Sequence, residues 1–254
     1  MTFESFSQGD SPLHRADARI KLIATALLTL IIALCQGFAT AAGGLGLGVI
    51  LLLAARLPLG LIGKRLLLVN GFIGFLWLTL PLTYPGETLF TLGPLTVSRA
   101  GVLLAGLITL KTNAIIMIFI SLLATSSVAD LGHAMARLHL PEKLCLLLLF
   151  SYRYIFVINQ EYQRLVRAAK LRGFKPGTNL HTYRTFAHLF GMTLVKSWNR
   201  AERVRQAMML RGFKGRFYTL DERRAESRDF LLLGLLSLAA TALLATEFLK
   251  RTGW

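Results

Sequence analysis

The sequence predicts an all-α, polytopic membrane protein with about five transmembrane helices and a cytoplasmic module of long amphipathic helices. Three observations lead there. Of the 254 residues, 54% are hydrophobic and only 17% charged, with a mean hydropathy of +0.55, which is too apolar for an ordinary soluble domain. Apolar runs of membrane-spanning length recur along the chain. The net charge of +16 is concentrated, because residues 142–228 hold 18 Lys and Arg against 6 Asp and Glu, a net +12 in a third of the chain. That stretch keeps Leu, Phe, Tyr and Trp throughout, which excludes a disordered basic tail for most of it. Cys35 and Cys145 stand in apolar contexts with no Cys or His at ligand spacing. Neither a disulfide framework nor a structural zinc site is expected.

The first 21 residues are polar and include Asp10, Arg15, Asp17, Arg19 and Lys21, so no cleavable signal peptide is expected and the amino end is assigned to the cytoplasm. From Leu22 to Ala55 there is no charge, too long for one span and barely enough for two. A hairpin of two short spans follows, broken at Gln36-Gly37 or in the Ala/Gly-rich stretch after it, and Arg56, Lys64 and Arg65 return it to the positive side. A third span is expected from about Leu66 to Tyr84. A short outward loop with Glu87, Gly93, Pro94 and the single base Arg99 leads to a fourth, Gly101 to Ser126. Within that fourth span Lys111 and Asn113 must face a protein neighbour or snorkel.

Counting residues 144–158 as a span would put 159–228 outside, against the positive-inside rule. A run of about 15 residues interrupted by Arg153 suits a buried or re-entrant helix at the cytoplasmic interface instead. The fifth crossing is then Phe230 to Leu249, which places Trp254 outside. The expected organisation is a membrane domain over 1–126, a cytoplasmic module over 127–228 and a final transmembrane helix within 229–254.

The basic stretch contains a repeat. Residues 164–175 align with 203–214 at an offset of 39, with seven of twelve positions identical, and both copies end in Leu-Arg-Gly-Phe-Lys. Each reads as a helix of good formers closed by glycine in the left-handed conformation. Arg172 and Arg211 therefore fall in last turns, where a guanidinium complements the helix dipole and can reach a carboxylate or phosphate. One such arginine would be an ordinary cap. Two matched ends, Leu171-Arg172-Gly173 and Leu210-Arg211-Gly212, suggest two equivalent docking points for two equivalent partners.

These two motifs, the amino-terminal segment Gly9-Asp10-Ser11-Pro12-Leu13-His14-Arg15-Ala16-Asp17-Ala18-Arg19-Ile20-Lys21, and the run Asn199 to Gly215 resemble the transmembrane coupling (T) component of energy-coupling factor (ECF) transporters. The similarity is greatest to its cobalt/nickel-type, CbiQ-like branch. The resemblance implies that Arg172 and Arg211 are charge contacts to two ATP-binding cassette ATPase subunits, Gly173 and Gly212 helix stops, and Leu171 and Leu210 apolar flanks. It further implies a separate membrane substrate-capture (S) subunit, a metal handled by that partner, and a bacterial or archaeal cytoplasmic membrane. The expected function is a non-catalytic coupling subunit for cobalt or nickel uptake, the alternative being the T component of a vitamin importer.

Other chemistries find little support. Gly60 to Arg65 is the nearest thing to a phosphate loop, but Pro58 stands where the first glycine belongs and Arg65 where Ser or Thr should hold magnesium. The glycines from Gly43 to Gly48 lie in an apolar span and read as close helix packing, not a dinucleotide fingerprint. His133 and His139 bracket a short polar helix, and His181 and His188 share a helix face. Neither pair has other ligands at the right spacing, so no metal site and no cofactor are expected in this chain. The bases should also meet anionic lipid headgroups. They alternate with apolar residues at helical spacing, which argues against nucleic acid. An integral membrane enzyme acting on lipid or prenyl substrates would show an Asp-rich or His-containing motif at a membrane edge, and none is present.

Overall fold

The computed structural model describes residues 9, 11–92, 95–215 and 227–251. It is all-α apart from one hairpin. The helices are α1 (Pro12–Arg15), α2 (Ala18–Leu34), α3 (Phe38–Ala55), α4 (Leu59–Thr83), α5 (Arg99–Leu122), α6 (Val128–Arg137), α7 (Glu142–Leu171), α8 (Leu180–Leu210) and α9 (Ser227–Arg251). The hairpin pairs β1 (Thr88–Leu92) with β2 (Leu95–Ser98), antiparallel, from Thr88 opposite Ser98 to Leu92 opposite Leu95. The chain forms two compact units, one of residues 1–134 and 223–254, the other of residues 135–222.

In the first unit α3 packs most extensively on α5, with α2 against α5 and α9 and α4 against α5. Glycine permits the closest approach. A Cβ at Gly44 would stand 2.9 Å from Ile32 Cδ1, and one at Gly48 3.1 Å from Met117 Cβ and 3.2 Å from the Ala114 carbonyl. The glycine cluster is therefore a packing surface, as its place in an apolar run suggested. Leu28, Ile32, Ile118 and Leu122 fill the centre with no exposed area.

The α2–α3 break falls at Cys35–Gly37, and both helix ends there are capped by charges from other helices. Lys111 Nζ on α5 donates to the Ala33 carbonyl at 3.1 Å. Glu247 on α9 accepts from the backbone N–H groups of Gln36 (2.7 Å) and Gly37 (3.1 Å) and from Thr40 Oγ1 (2.7 Å). A cation thus sits on the carbonyl end of α2 and an anion on the N–H end of α3, each on the favourable pole of its helix. Asn113 faces a protein neighbour too, in a reciprocal amide pair with Asn70 at 3.0 and 3.1 Å.

Four expectations need correction. Among the described residues five helices are long and apolar enough to cross a membrane: 38–55, 60–83, 99–122, 142–171 and 229–247. α7 is among them, which the sequence reading did not count as a span, whereas the 17-residue α2 falls one residue short of the shortest of them and keeps its reading as a short first span. Residues 144–158 are not a short buried helix, because nothing from Asn159 to Leu171 breaks a helix and α7 runs on for 30 residues. Only Cys145 of α7 is buried, and Leu144, Leu147 and Ile155 are exposed. The third span starts earlier than expected, since Pro58 caps α4 and Lys64 and Arg65 lie inside it. Finally, the segment expected as a plain loop pairs as β1 and β2, in keeping with its β-branched residues Thr88, Thr91, Thr96 and Val97. Gly93, Pro94 and Trp254 lie outside the described residues.

Candidate docking ends of two long helices

The second unit is built on α7 and α8. Asn179 starts α8 by accepting from Thr182 N at 2.8 Å, a side-chain cap on the first turn. Contacts along the pair run in opposite directions. Phe174 just past α7 meets Phe186 edge-on at 5.7 Å, Tyr162 stacks on Phe190 at 5.0 Å, and Glu161 bonds Lys196 Nζ at 2.6 Å. Further back on α7, Phe150, Tyr154 and Ile158 face Trp198, Val204 and Met208 of α8 across an apolar cavity of about 1180 Å³. The helices are antiparallel, so their carboxyl ends lie at opposite ends of the pair. Arg172 is next to the start of α8 and Arg211 at its finish, and 31 residues of α-helix span roughly 45 Å.

Each end closes in the same way. Gly173 N donates to the Lys170 carbonyl at 3.0 Å and Phe174 N to the Ala169 carbonyl at 3.1 Å. In the second copy Gly212 N donates to the Met209 carbonyl at 3.0 Å and Phe213 N to the Met208 carbonyl at 3.0 Å. This is the Schellman pattern, and it needs a left-handed residue after the cap. The φ angles of +86° at Gly173 and +74° at Gly212 supply it. The turn leaves Leu171 and Leu210 at 90% and 89% exposure, large apolar side chains that nothing in their own unit covers.

Charges that lie between the two helices are paired. Glu161 gathers Lys196, Arg164 (3.5 Å) and Arg200 (3.9 Å). Glu202 accepts from Arg205 at 2.6 Å and Gln206 at 3.1 Å, and these bonds hold its carboxyl below the usual carboxylate range. Among the described residues, neither Arg172 nor Arg211 has a side-chain hydrogen bond or ion pair. Both guanidinium groups are exposed at the negative pole of a helix, with five donors each to offer an acidic or phosphate surface.

All six motif residues thus fall at the two helix ends, not in one pocket. The sequence reading missed what braces those ends, Phe174 on Phe186 and His181 and the Glu161 cluster between the helices. The phenylalanines were visible as the fourth residue of each Leu-Arg-Gly-Phe-Lys. Among the described residues no group of three or more His, Cys, Asp and Glu is gathered. Gly60 to Arg65 form part of α4, with the Leu61 and Ile62 N–H groups donating to the Pro58 carbonyl, so this stretch is helix and not a glycine-rich loop.

Comparison with known proteins agrees along most of the chain. The family model described as CbiQ, cobalt transport protein, matches residues 9–220. The energy-coupling factor transporter transmembrane protein EcfT of Brevibacillus brevis is 30% identical over 218 residues, 82% of each chain. The protein of the same name from Macrococcus caseolyticus is 27% identical over 249 residues, 91% of this chain and 92% of its own. The nickel permease LarQ of Lactiplantibacillus plantarum is 32% identical over 109 residues, 43% of this chain and 39% of its own.

Proposed function

This chain belongs to the CbiQ family, as a transmembrane component of an ECF transporter and a multi-pass protein of the bacterial cell membrane, and from that premise we propose that it couples ATPase motion to uptake through its two Arg-Gly helix ends. Arg172 and Arg211 each meet an acidic group on one of two ATP-binding cassette subunits, and Leu171 and Leu210 enter an apolar groove beside it. A separate membrane subunit captures the substrate, and ATP is hydrolysed by the partners. Residues 127–228 and the amino end lie on the cytoplasmic side, α7 included, because a crossing by α7 would carry the basic stretch after it outside, against the positive-inside rule; the exposed bases there also touch anionic headgroups. The observation that carries the reading is the pair of matched Schellman ends, each presenting an unpaired arginine and an uncovered leucine, at opposite ends of one antiparallel pair. Ends about 45 Å apart suit two separate partner subunits better than two contacts on one.

The substrate proposed is a divalent metal, nickel or cobalt. Its support is the cobalt-transport family and the similarity to the nickel permease LarQ. A tagged chain extracted in mild detergent is expected to bring two ATPase copies with it and to hydrolyse no ATP alone. Uptake of labelled cobalt, nickel and biotin by cells expressing the whole assembly should favour a metal. ATPase activity of the isolated chain counts against the coupling role, and transport of biotin alone counts against the metal.

A further inference from the structure

The second unit is an insertion in the chain of the first, which it leaves after residue 134 and rejoins at residue 223. Its two roots in the first unit are the turn between α5 and α6 and the start of α9. The first turn of α2 grips both. Lys21, with no exposed surface, donates from Nζ to Ser126 Oγ at 2.9 Å and Thr125 Oγ1 at 3.5 Å, in the turn that leads into α6. Asp17 N donates to Asp229 Oδ1 at 3.3 Å, at the start of α9, and Asp229 is buried. Asp17 is itself fixed, because its carboxylate accepts from Arg19 N at 2.9 Å and pairs with the Arg19 guanidinium at 2.6 Å.

An apolar side chain of similar length would fill the space of Lys21 without desolvating an ammonium group. Packing alone therefore does not account for a lysine there. We propose that Lys21, together with Asp17, is a positioning clasp that holds the two roots of the inserted unit in fixed relation. Force received by that unit then enters the membrane helices through α5 and α9 together, instead of being lost to independent play of the two roots. This rests on the coupling role proposed above.

The test uses the whole assembly in proteoliposomes and reads metal uptake per ATP hydrolysed, together with the amount of assembled complex and its ATPase rate. Lys21→Met should assemble and hydrolyse ATP near wild-type rates while uptake per ATP falls about threefold to tenfold. Lys21→Arg, which keeps the charge and the donors, should recover most of the ratio, and Ser126→Ala should lie between. A lysine of purely structural value would lower assembly and leave the ratio of the surviving complexes unchanged, and that result overturns the clasp. If Lys21→Met does not assemble, Ser126→Ala and Asp229→Ala, which removes the acceptor of the Asp17 N–H, decide, and wild-type ratios in both overturn it. A wild-type assembly without ATP-driven uptake overturns the coupling reading and the clasp together. Wild-type pumping with an unaltered ratio in Lys21→Met overturns the clasp alone.

Discussion

The two units use charge in opposite ways. In the membrane unit several polar and charged groups are consumed by partners on other helices: Lys21 on Thr125 and Ser126, Lys111 on the Ala33 carbonyl, Glu247 on the start of α3, Asn70 on Asn113. In the α7–α8 unit most charges turn outward, those between the helices are paired, and the two at the helix ends have no partner among the described residues. A satisfied buried charge holds a fold together. An exposed, rigidly presented charge without a partner, beside an uncovered leucine, is a surface waiting for another chain.

The widest test of this contrast removes the two motif arginines. Arg172→Ala and Arg211→Ala each delete a guanidinium that supports nothing in its own fold, so insertion and stability should hardly change. Truncating a desolvated Arg–carboxylate contact at an interface typically costs about 2–5 kcal/mol, enough to weaken docking more than tenfold. Either single change should depress ATP-driven uptake strongly and the double change abolish it, while Arg→Lys restores only part because the fork is lost. Wild-type uptake by the double variant, at normal expression, would reduce these arginines to ordinary caps.

A smaller effect is expected from the glycines, which act through geometry. Nothing lies within 4 Å of a Cβ added at Gly173 or Gly212, so alanine meets no clash and suffers only from its positive φ, about 1–2 kcal/mol. That strain should shift the last turn and weaken ATPase capture several-fold. Asn, which tolerates the left-handed region, should do less harm. Equal harm from Ala and Asn would mean that the turn needs something other than a left-handed residue.

How far these features can be read in the sequence depends on how local they are. The Arg-Gly ends are legible because a Schellman turn is written in five consecutive residues, and the α3 glycines because the lipid context leaves them few other uses. The separation of the ends is not legible, since it follows from pairs such as Glu161 with Lys196 that only the folded hairpin brings together. The cap on α3 depends on Glu247, 210 residues from the N–H of Gly37, and no local pattern announces it. The length of α7 was misjudged for a different reason: the apolar run ends at Ile158, but helix propensity does not, and the polar continuation Asn-Gln-Glu-Tyr-Gln carries no breaker.

The Glu247 cap lets the other half of the contrast be tested. Glu247→Ala leaves the N–H groups of Gln36 and Gly37 and the Thr40 hydroxyl without their acceptor, and the buried ones among them cost about 1–3 kcal/mol. The melting temperature of the detergent-solubilised chain should fall, while ATPase capture, which depends on the other unit, should stay within about twofold of wild type. A loss of capture without a loss of stability would mean that inward charges in the membrane unit also serve docking.

The smallest effect belongs to a charge that is exposed but already paired. Arg205 lies on α8, six residues before Arg211, and carries the same guanidinium, yet it is bound to Glu202 one turn back at 2.6 and 3.1 Å. If charge alone drew the ATPase, Arg205→Ala would weaken capture about as much as Arg211→Ala, because the two differ by little in distance from a partner at the helix end. If presentation matters, Arg205→Ala should change capture by less than about twofold, since an exposed i,i+3 pair contributes little. Raising the salt concentration separates the cases further: screening of a diffuse basic surface would weaken wild type and Arg205→Ala in parallel and steeply, whereas a seated Arg211 with Leu210 buried beside it should retain much of its grip. A large loss in Arg205→Ala at low salt would shift the docking surface from the helix end to the basic face of α8.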